Sequence, residues 1–78
     1  MWIRSQDNMT LTEMKELDID GANQIWSGAL LIGKYSTEEK ALKVLDDIEG
    51  CLEYQYKSIF QMPQDEDVEV WHLKNIMK

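Results

Sequence analysis

Apolar residues recur at two different spacings along this chain, and each spacing predicts its own kind of element. Ala41, Val44, Leu45, Ile48, Cys51 and Leu52 follow one another in steps of three and four, with Lys40, Lys43, Asp46, Asp47, Glu49 and Glu53 between them. That rhythm places the apolar side chains on one face of a helix. Ser36, followed three residues later by Glu39, reads as a capping box in which each side chain satisfies an amide of the first turn. Glu38 and Glu39 also oppose the positive end of the helix dipole. The pattern predicts a helix over about residues 37–54, ending between Glu53 and Tyr56. Gly50 inside it costs about 1 kcal/mol relative to alanine and suggests close packing on a sheet, or fraying.

Elsewhere the pattern is that of strands. Residues 1–6 alternate, with Trp2 and Arg4 on one side and Ile3 and Ser5 on the other, before the turn signal Asp7-Asn8. Residues 10–17 alternate less cleanly, since Met9, Leu11, Glu13, Lys15 and Leu17 share one parity. Asp18 to Asn23 holds turn-favouring Asp, Gly and Asn residues. Gln24-Ile25-Trp26 and Ala29 to Tyr35 flank Ser27-Gly28 and read as a hairpin. The second of these runs is almost wholly apolar, which predicts a central strand buried on both faces. Gly33 within it marks a bulge or a close backbone approach. Lys57 to Met62 predicts a last strand, stopped by Pro63, which has no amide to donate.

These elements predict a small α+β fold: an antiparallel sheet packed against one main helix, with strands near residues 1–6, 10–17, 23–26, 29–35 and 57–62. With 78 residues, 1–78 is expected to be a single domain. Val68 to Leu73 alternate again, so 68–78 reads as an extra strand or a C-terminal tail that orders on a partner; Asn75 to Lys78 are expected to fray.

Composition narrows the class. The chain is 44% hydrophobic and 29% charged, the balance of a globular protein. A domain this small buries only about 60% of its unfolded surface, so self-association is an expected source of added stability. Cys51 is the only cysteine, which excludes an intrachain disulfide, and with His72 it is too little for a zinc site of nitrogen and sulfur ligands. No run approaches the roughly 18 apolar residues that span a membrane, and Arg4, Gln6 and Asp7 interrupt any secretory segment. The chain reads as cytoplasmic. Its net charge of −7 disfavours direct nucleic-acid binding, which draws on Lys and Arg.

Few residues suggest chemistry. Arg4-Ser5-Gln6 puts a guanidinium that can grip phosphate two residues from an amide that can read a base edge; the same residues also suit a solvent-facing edge strand. Trp2, Trp26, Tyr35, Tyr54, Tyr56 and Trp71 are candidates for stacking on a base or for ordinary packing. His72 has no nucleophile spaced to partner it, and Cys51 lies on the apolar helix stripe. The acids cluster at Glu13–Asp20, Asp46–Glu53 and Asp65–Glu69 without the spacing of a calcium loop. Gly21, Gly28, Gly33 and Gly50 do not form a phosphate-cradling loop. The expectation is a protein that is not an enzyme and carries no cofactor.

Four segments carry a resemblance: Trp2-Ile3-Arg4-Ser5-Gln6-Asp7; Leu31-Ile32-Gly33-Lys34-Tyr35-Ser36; Glu39 and Ala41 with Val44-Leu45-Asp46-Asp47-Ile48; and Phe60-Gln61-Met62-Pro63. Together they resemble a small phage and prophage family of low-GC Gram-positive bacteria, over most of residues 1–67. Residues 68–78 extend past the point where such proteins are expected to end. The chain is also similar to the anti-CBASS sponges, small oligomers that sequester cyclic dinucleotide signals without cleaving them. That likeness implies a cytoplasmic homo-oligomer in an infected bacterial host, binding a cyclic nucleotide. The residues that suit such a ligand are Arg4 for phosphate, Gln6 for a base edge, and Trp26 or Tyr35 for stacking. The acid clusters keep open an alternative, an inhibitor that occupies a host nucleic-acid-binding defence protein. A structural role in the phage, with no small ligand, is a third.

Overall fold

Turn residues cut this chain into strands of three to five residues. The computed structural model describes residues 1–54 and 58–70. In chain order the elements are β1 (Trp2–Arg4), β2 (Leu11–Glu13), β3 (Leu17–Ile19), β4 (Gln24–Ser27), β5 (Leu30–Lys34), α1 (Glu38–Tyr54) and β6 (Ile59–Gln61), followed by a 3-10 turn at Asp65–Asp67. The architecture is α+β, as the pattern predicts. The strands, however, form two three-stranded sheets. One has the order β2-β1-β6, with β1 antiparallel to β2 and parallel to β6. The other, β3-β4-β5, is antiparallel throughout.

The strand expected over 10–17 is therefore two strands in different sheets. The chain crosses between them over Met14 to Glu16. The Met14 N–H donates to Met1 O at 2.9 Å. One residue later the Lys15 N–H donates to the buried Ser27 hydroxyl at 2.8 Å, and the Gly28 N–H donates to Glu16 O at 2.9 Å. Neither parity of 9–17 is consistently apolar, so no single face holds the segment in one register.

β5 is the edge of its sheet, and β4 is the centre. This corrects the expectation of a central strand, and the apolar content of β5 has another cause. Ile32 faces the core, while Gly33 lies under the ring of Tyr35 and the methyl of Met62. The hairpin turn is Gly28-Ala29, one residue later than Ser27-Gly28, because Ser27 still pairs with Leu30. Gly28 takes φ 60°, as the first central position of a type II′ turn requires. A bulge lies beside Gly33: Ile25 pairs with Gly33 and Trp26 with Leu31, which leaves Ile32 as the extra residue.

The helix matches its predicted span to within a residue. Its cap does not, since Thr37 accepts the Lys40 N–H at 3.1 Å, while the Ser36 N–H is taken by Asp65 Oδ1 at 2.8 Å. Ala41, Val44, Ile48 and Cys51 face inward. They meet Ile3 and Phe60 from the first sheet, Ile25 and Ile32 from the second, and Tyr35, Met62 and Val68 from the connections, in one cluster. β6 is shorter than the predicted 57–62, and Lys57 lies outside the described residues. Val68 to Val70 run without a ladder, Val68 being buried. The rest of the predicted extra strand or tail, from Trp71 onward, lies outside the described residues.

Two glycines give opposite predictions. A Cβ on Gly33 would stand 2.9 Å from Tyr35 Cε2 and 3.1 Å from Met62 Cε, so Gly33→Ala is expected to destabilise by about 1–3 kcal/mol through overpacking. A Cβ on Gly50 meets nothing within 4 Å, so Gly50→Ala is expected to stabilise by about 0.5–1 kcal/mol through helix propensity. Urea unfolding midpoints at constant m-value decide both.

Candidate functional site

Beyond Arg4 the chain leaves β1 and runs along the open edge of β5. Gln6 makes the contact. Its main-chain N–H donates to Ile32 O at 2.9 Å. Its side-chain Oε1 accepts the Lys34 N–H at 2.7 Å, and Nε2 donates to Lys34 O at 2.9 Å. The amide thus satisfies both main-chain groups of Lys34, as a neighbouring strand would. Nε2 also donates to Pro63 O at 3.2 Å, so both amide protons are engaged. Gln64 Nε2 in turn donates to Gln6 O at 2.7 Å.

The loop that presents Gln6 is rigidly bonded. Ser5 is buried; its hydroxyl donates to Asp7 Oδ1 at 2.6 Å and accepts the Thr10 N–H at 3.1 Å. Asp7 Oδ1 also accepts the Met9 N–H at 3.0 Å. Asn8 takes φ 66°, which its short polar side chain tolerates. The Ser5 hydroxyl, then the Met9 amide, hold the Asp7 carboxyl below its ordinary 3.8. Between Ser5–Asp7 and Leu31–Lys34 lies a cleft of about 250 Å³.

The four residues singled out in the sequence do not form one cluster. Gln6 lines this cleft, but its amide is committed to backbone. Tyr35 is only 5% exposed, and its hydroxyl donates to Pro63 O at 2.8 Å, the same acceptor that Gln6 uses. Burial, and after it the charge of Asp65, raises the Tyr35 hydroxyl well above 10.0 and keeps it a donor. Trp26 is half-buried on β4, with its indole Nε1 donating to Asp20 Oδ2 at 2.9 Å. Arg4 is exposed, and its Nε donates to Asn8 O at 3.2 Å across the base of the loop.

Sequence reasoning passed over several residues that organise this region. Asp20 accepts from the Ala22 and Gln24 amides, from the Gln24 side chain and from Trp26. These bonds, Trp26's foremost, hold its carboxyl below the ordinary value. An Asp opening a Gly-containing turn was the available signal. Asp65 binds the Ser36 amide and lies 3.5 Å from the Lys40 ammonium. The Ser36 amide contributes most to lowering its carboxyl as well. Trp2, 45% exposed, sits two residues from Arg4 on the same outer sheet face. A second cleft of about 230 Å³ brings the Lys43–Asp47 ion pair of the helix next to Asp67 and Glu69. Among the described residues no group of three or more His, Cys, Asp or Glu is placed to hold a metal ion. No described helix is long and apolar enough to cross a membrane.

Removing the Gln6 amide takes the partner from both main-chain groups of the exposed Lys34, while Pro63 O keeps the Tyr35 hydroxyl, so Gln6→Ala is expected to cost about 1 kcal/mol in urea unfolding. Gln6→Glu keeps an acceptor for the Lys34 N–H but sets a carboxylate against two carbonyls, and is expected to be no better than alanine at pH 7. Acid should also weaken the fold. Asp7, Asp20 and Asp65 all have folded values below 3.8, so the unfolded chain binds more protons. Their stabilisation is complete above the unfolded value and is lost as pH falls through 3.8 toward the folded values. In thermal unfolding from pH 7 to pH 3, Asp20→Asn is expected to start less stable than wild type, with the gap narrowing toward the acid end.

No protein-family model, curated protein or solved structure matches the chain.

Proposed function

We propose that this chain is a phage-encoded immune-evasion protein that binds a cyclic nucleotide defence signal and sequesters it without cleaving it, in the cytoplasm of an infected bacterial host. The observation that carries this reading is the pair of cations at the 5–10 loop. Lys34 lines the cleft, as does the Asp7 carboxylate, and Arg4 stands outside that lining, tied to the loop through Asn8. Neither cation has an ion-pair partner among the described residues. In a chain of net charge −7 these two groups are the cations available to a phosphate at this loop. Trp2 supplies the stacking ring, since Tyr35 is buried and Trp26 is held by Asp20. Gln6 and Tyr35 position the cleft through Pro63. Ligand pockets commonly run from about 300 to 1,000 Å³, so a cleft of about 250 Å³ encloses part of a dinucleotide. A homo-oligomer would complete the enclosure. The similarity of the chain to the phage sponges supports the same ligand class.

A second reading is an acidic inhibitor of a host nucleic-acid-binding protein. The observation that favours it is the cleft at which Asp67 and Glu69 stand beside Asp47, which is itself paired with Lys43 at 2.7 Å. It predicts that binding to a basic defence protein weakens steeply with salt and fails in the Asp67→Lys, Glu69→Lys double variant.

Thermal unfolding against a panel of cyclic di- and trinucleotides tests the first reading. A ligand at 100 times its dissociation constant stabilises the native state by about 2.7 kcal/mol, a shift on the order of 10–20 °C for a domain this size. The Arg4→Ala, Lys34→Ala double variant is expected to lose that shift while keeping its ligand-free midpoint, and the nucleotide should be recovered intact. A flat panel for the wild type overturns the nucleotide reading.

A further inference from the structure

One flank of α1 is apolar and acidic at once, and it faces solvent. Leu42, Leu45 and Leu52 follow one another at helical spacing beside the buried stripe. Leu42 is 46% and Leu52 40% exposed, while Leu45 is half-buried. Together they make a straight apolar ridge about 15 Å long. Asp46, Glu49 and Glu53 border it, all three exposed. None of these three carboxylates has a hydrogen-bond or ion-pair partner among the described residues. Lys40 and Lys43 lie on the other flank, where Lys40 meets Asp65 and Lys43 meets Asp47. The helix is less stable for its bordering acids. Asp46 and Glu49 are three residues apart, and Glu49 and Glu53 four, spacings at which like charges repel. Glu53 also stands in the last turn, which holds no basic residue, against the negative end of the helix dipole. Both penalties are relieved when cations settle on this flank.

We propose that this flank is a docking surface for a cationic amphipathic helix of a partner protein. Apolar side chains of that helix seat on the leucine ridge, and its Lys or Arg side chains pair with Asp46, Glu49 and Glu53. Charge selects the sign of the partner. A nucleic acid, an anionic lipid surface and a second copy of this flank all carry the same sign as the flank, so each is repelled. Shape selects a helix. A straight ridge with side chains at steps of three and four packs into the grooves of another helix, and anchors at that spacing are how an amphipathic helix is recognised. An extended peptide would draw on free main-chain groups, and those in the middle of a helix are already bonded. Exposed apolar side chains rimmed by polar ones are the usual form of an interaction surface. The flank shares no residue with the cleft at the 5–10 loop or with the one at Asp67 and Glu69, so neither functional reading depends on it.

Isothermal titration of the full chain with a blocked peptide of about 14 residues, leucine along one helical face and lysine along the other, tests this. Wild type is expected to bind it with a dissociation constant on the order of 10 μM, the weak class that a short contact gives, and to bind less as salt rises. The same leucines and lysines in scrambled order are expected not to bind. The Leu42→Gln, Leu52→Gln variant and the Glu49→Lys, Glu53→Lys variant are each expected to lose about tenfold or more in affinity. The second of them is also expected to melt at a higher temperature than wild type, because it removes the repulsion and the clash with the dipole. Asp67→Lys with Glu69→Lys is expected to bind within about twofold of wild type, which separates this flank from the negative charge of the whole chain. A wild type that does not bind at about 1 mM peptide overturns the proposal. So does equal binding of the scrambled peptide, affinity that survives the loss of both leucines, or an equal loss in the Asp67, Glu69 variant. Nucleotide is absent from every arm and Arg4 and Lys34 are untouched, so failure here leaves the nucleotide reading standing.

Discussion

One side-chain amide stands where a strand-to-strand ladder would otherwise have to be. β5 is short, bulged and at the edge of its sheet, and its outward Lys34 groups would face water or a competing strand. Gln6 meets both of them and adds a bond to Pro63 O. The same residue therefore joins the end of β1, the edge of β5 and the segment leaving β6. Tyr35 reaches the same Pro63 carbonyl from the core side. The same ring passes so close to Gly33 that a Cβ there would stand 2.9 Å from Tyr35 Cε2. Bulge, glycine, tyrosine and glutamine are parts of one constraint.

Polar side chains do similar work throughout the molecule. Ser5 and Asp7 close the first loop, Asp20 closes the second, Ser27 receives the chain as it crosses between sheets, and Asp65 anchors the helix start. A chain of 78 residues has little apolar surface to bury, and strands of three residues have few ladder bonds to share. Side-chain bonds to turn amides replace part of both. Their cost is sensitivity to acid, because three of the acceptors are carboxylates whose strength depends on charge.

This explains which parts of the structure were legible in the sequence. The helix was, because Ala41, Val44, Ile48 and Cys51 repeat at its period and nothing else competes for them. Its cap was misread by one residue because Ser36 and Thr37 are equally good caps, and a remote side chain, Asp65, decides between them. The Gly33 bulge was legible as a kind of feature, though not as its cause. Residues 10–17 were not legible as two strands. Their boundary is set by the Ser27 hydroxyl, twelve residues away from Lys15, and local parity carries no trace of it. β5 looked central because a nearly continuous apolar run implies burial on both faces, whereas Leu30 is exposed and the free main-chain edge is met by the Gln6 amide.

The candidate site shows the same limit from the functional side. Arg4, Gln6, Trp26 and Tyr35 were singled out for the chemistry of their free side chains, and folding changes what is free. Gln6 donates both amide protons to backbone, Tyr35 is buried, and the Trp26 indole is spent on Asp20. Arg4 alone among them keeps most of its donors, and it does so because β1 turns alternate residues outward. The same alternation that sends Ile3 into the core sets Trp2 and Arg4 side by side in solvent. A three-residue strand with one buried member can display only two side chains, and here they are an indole and a guanidinium. In a chain of net charge −7, that pair is where an anion or a flat ring finds complementary chemistry.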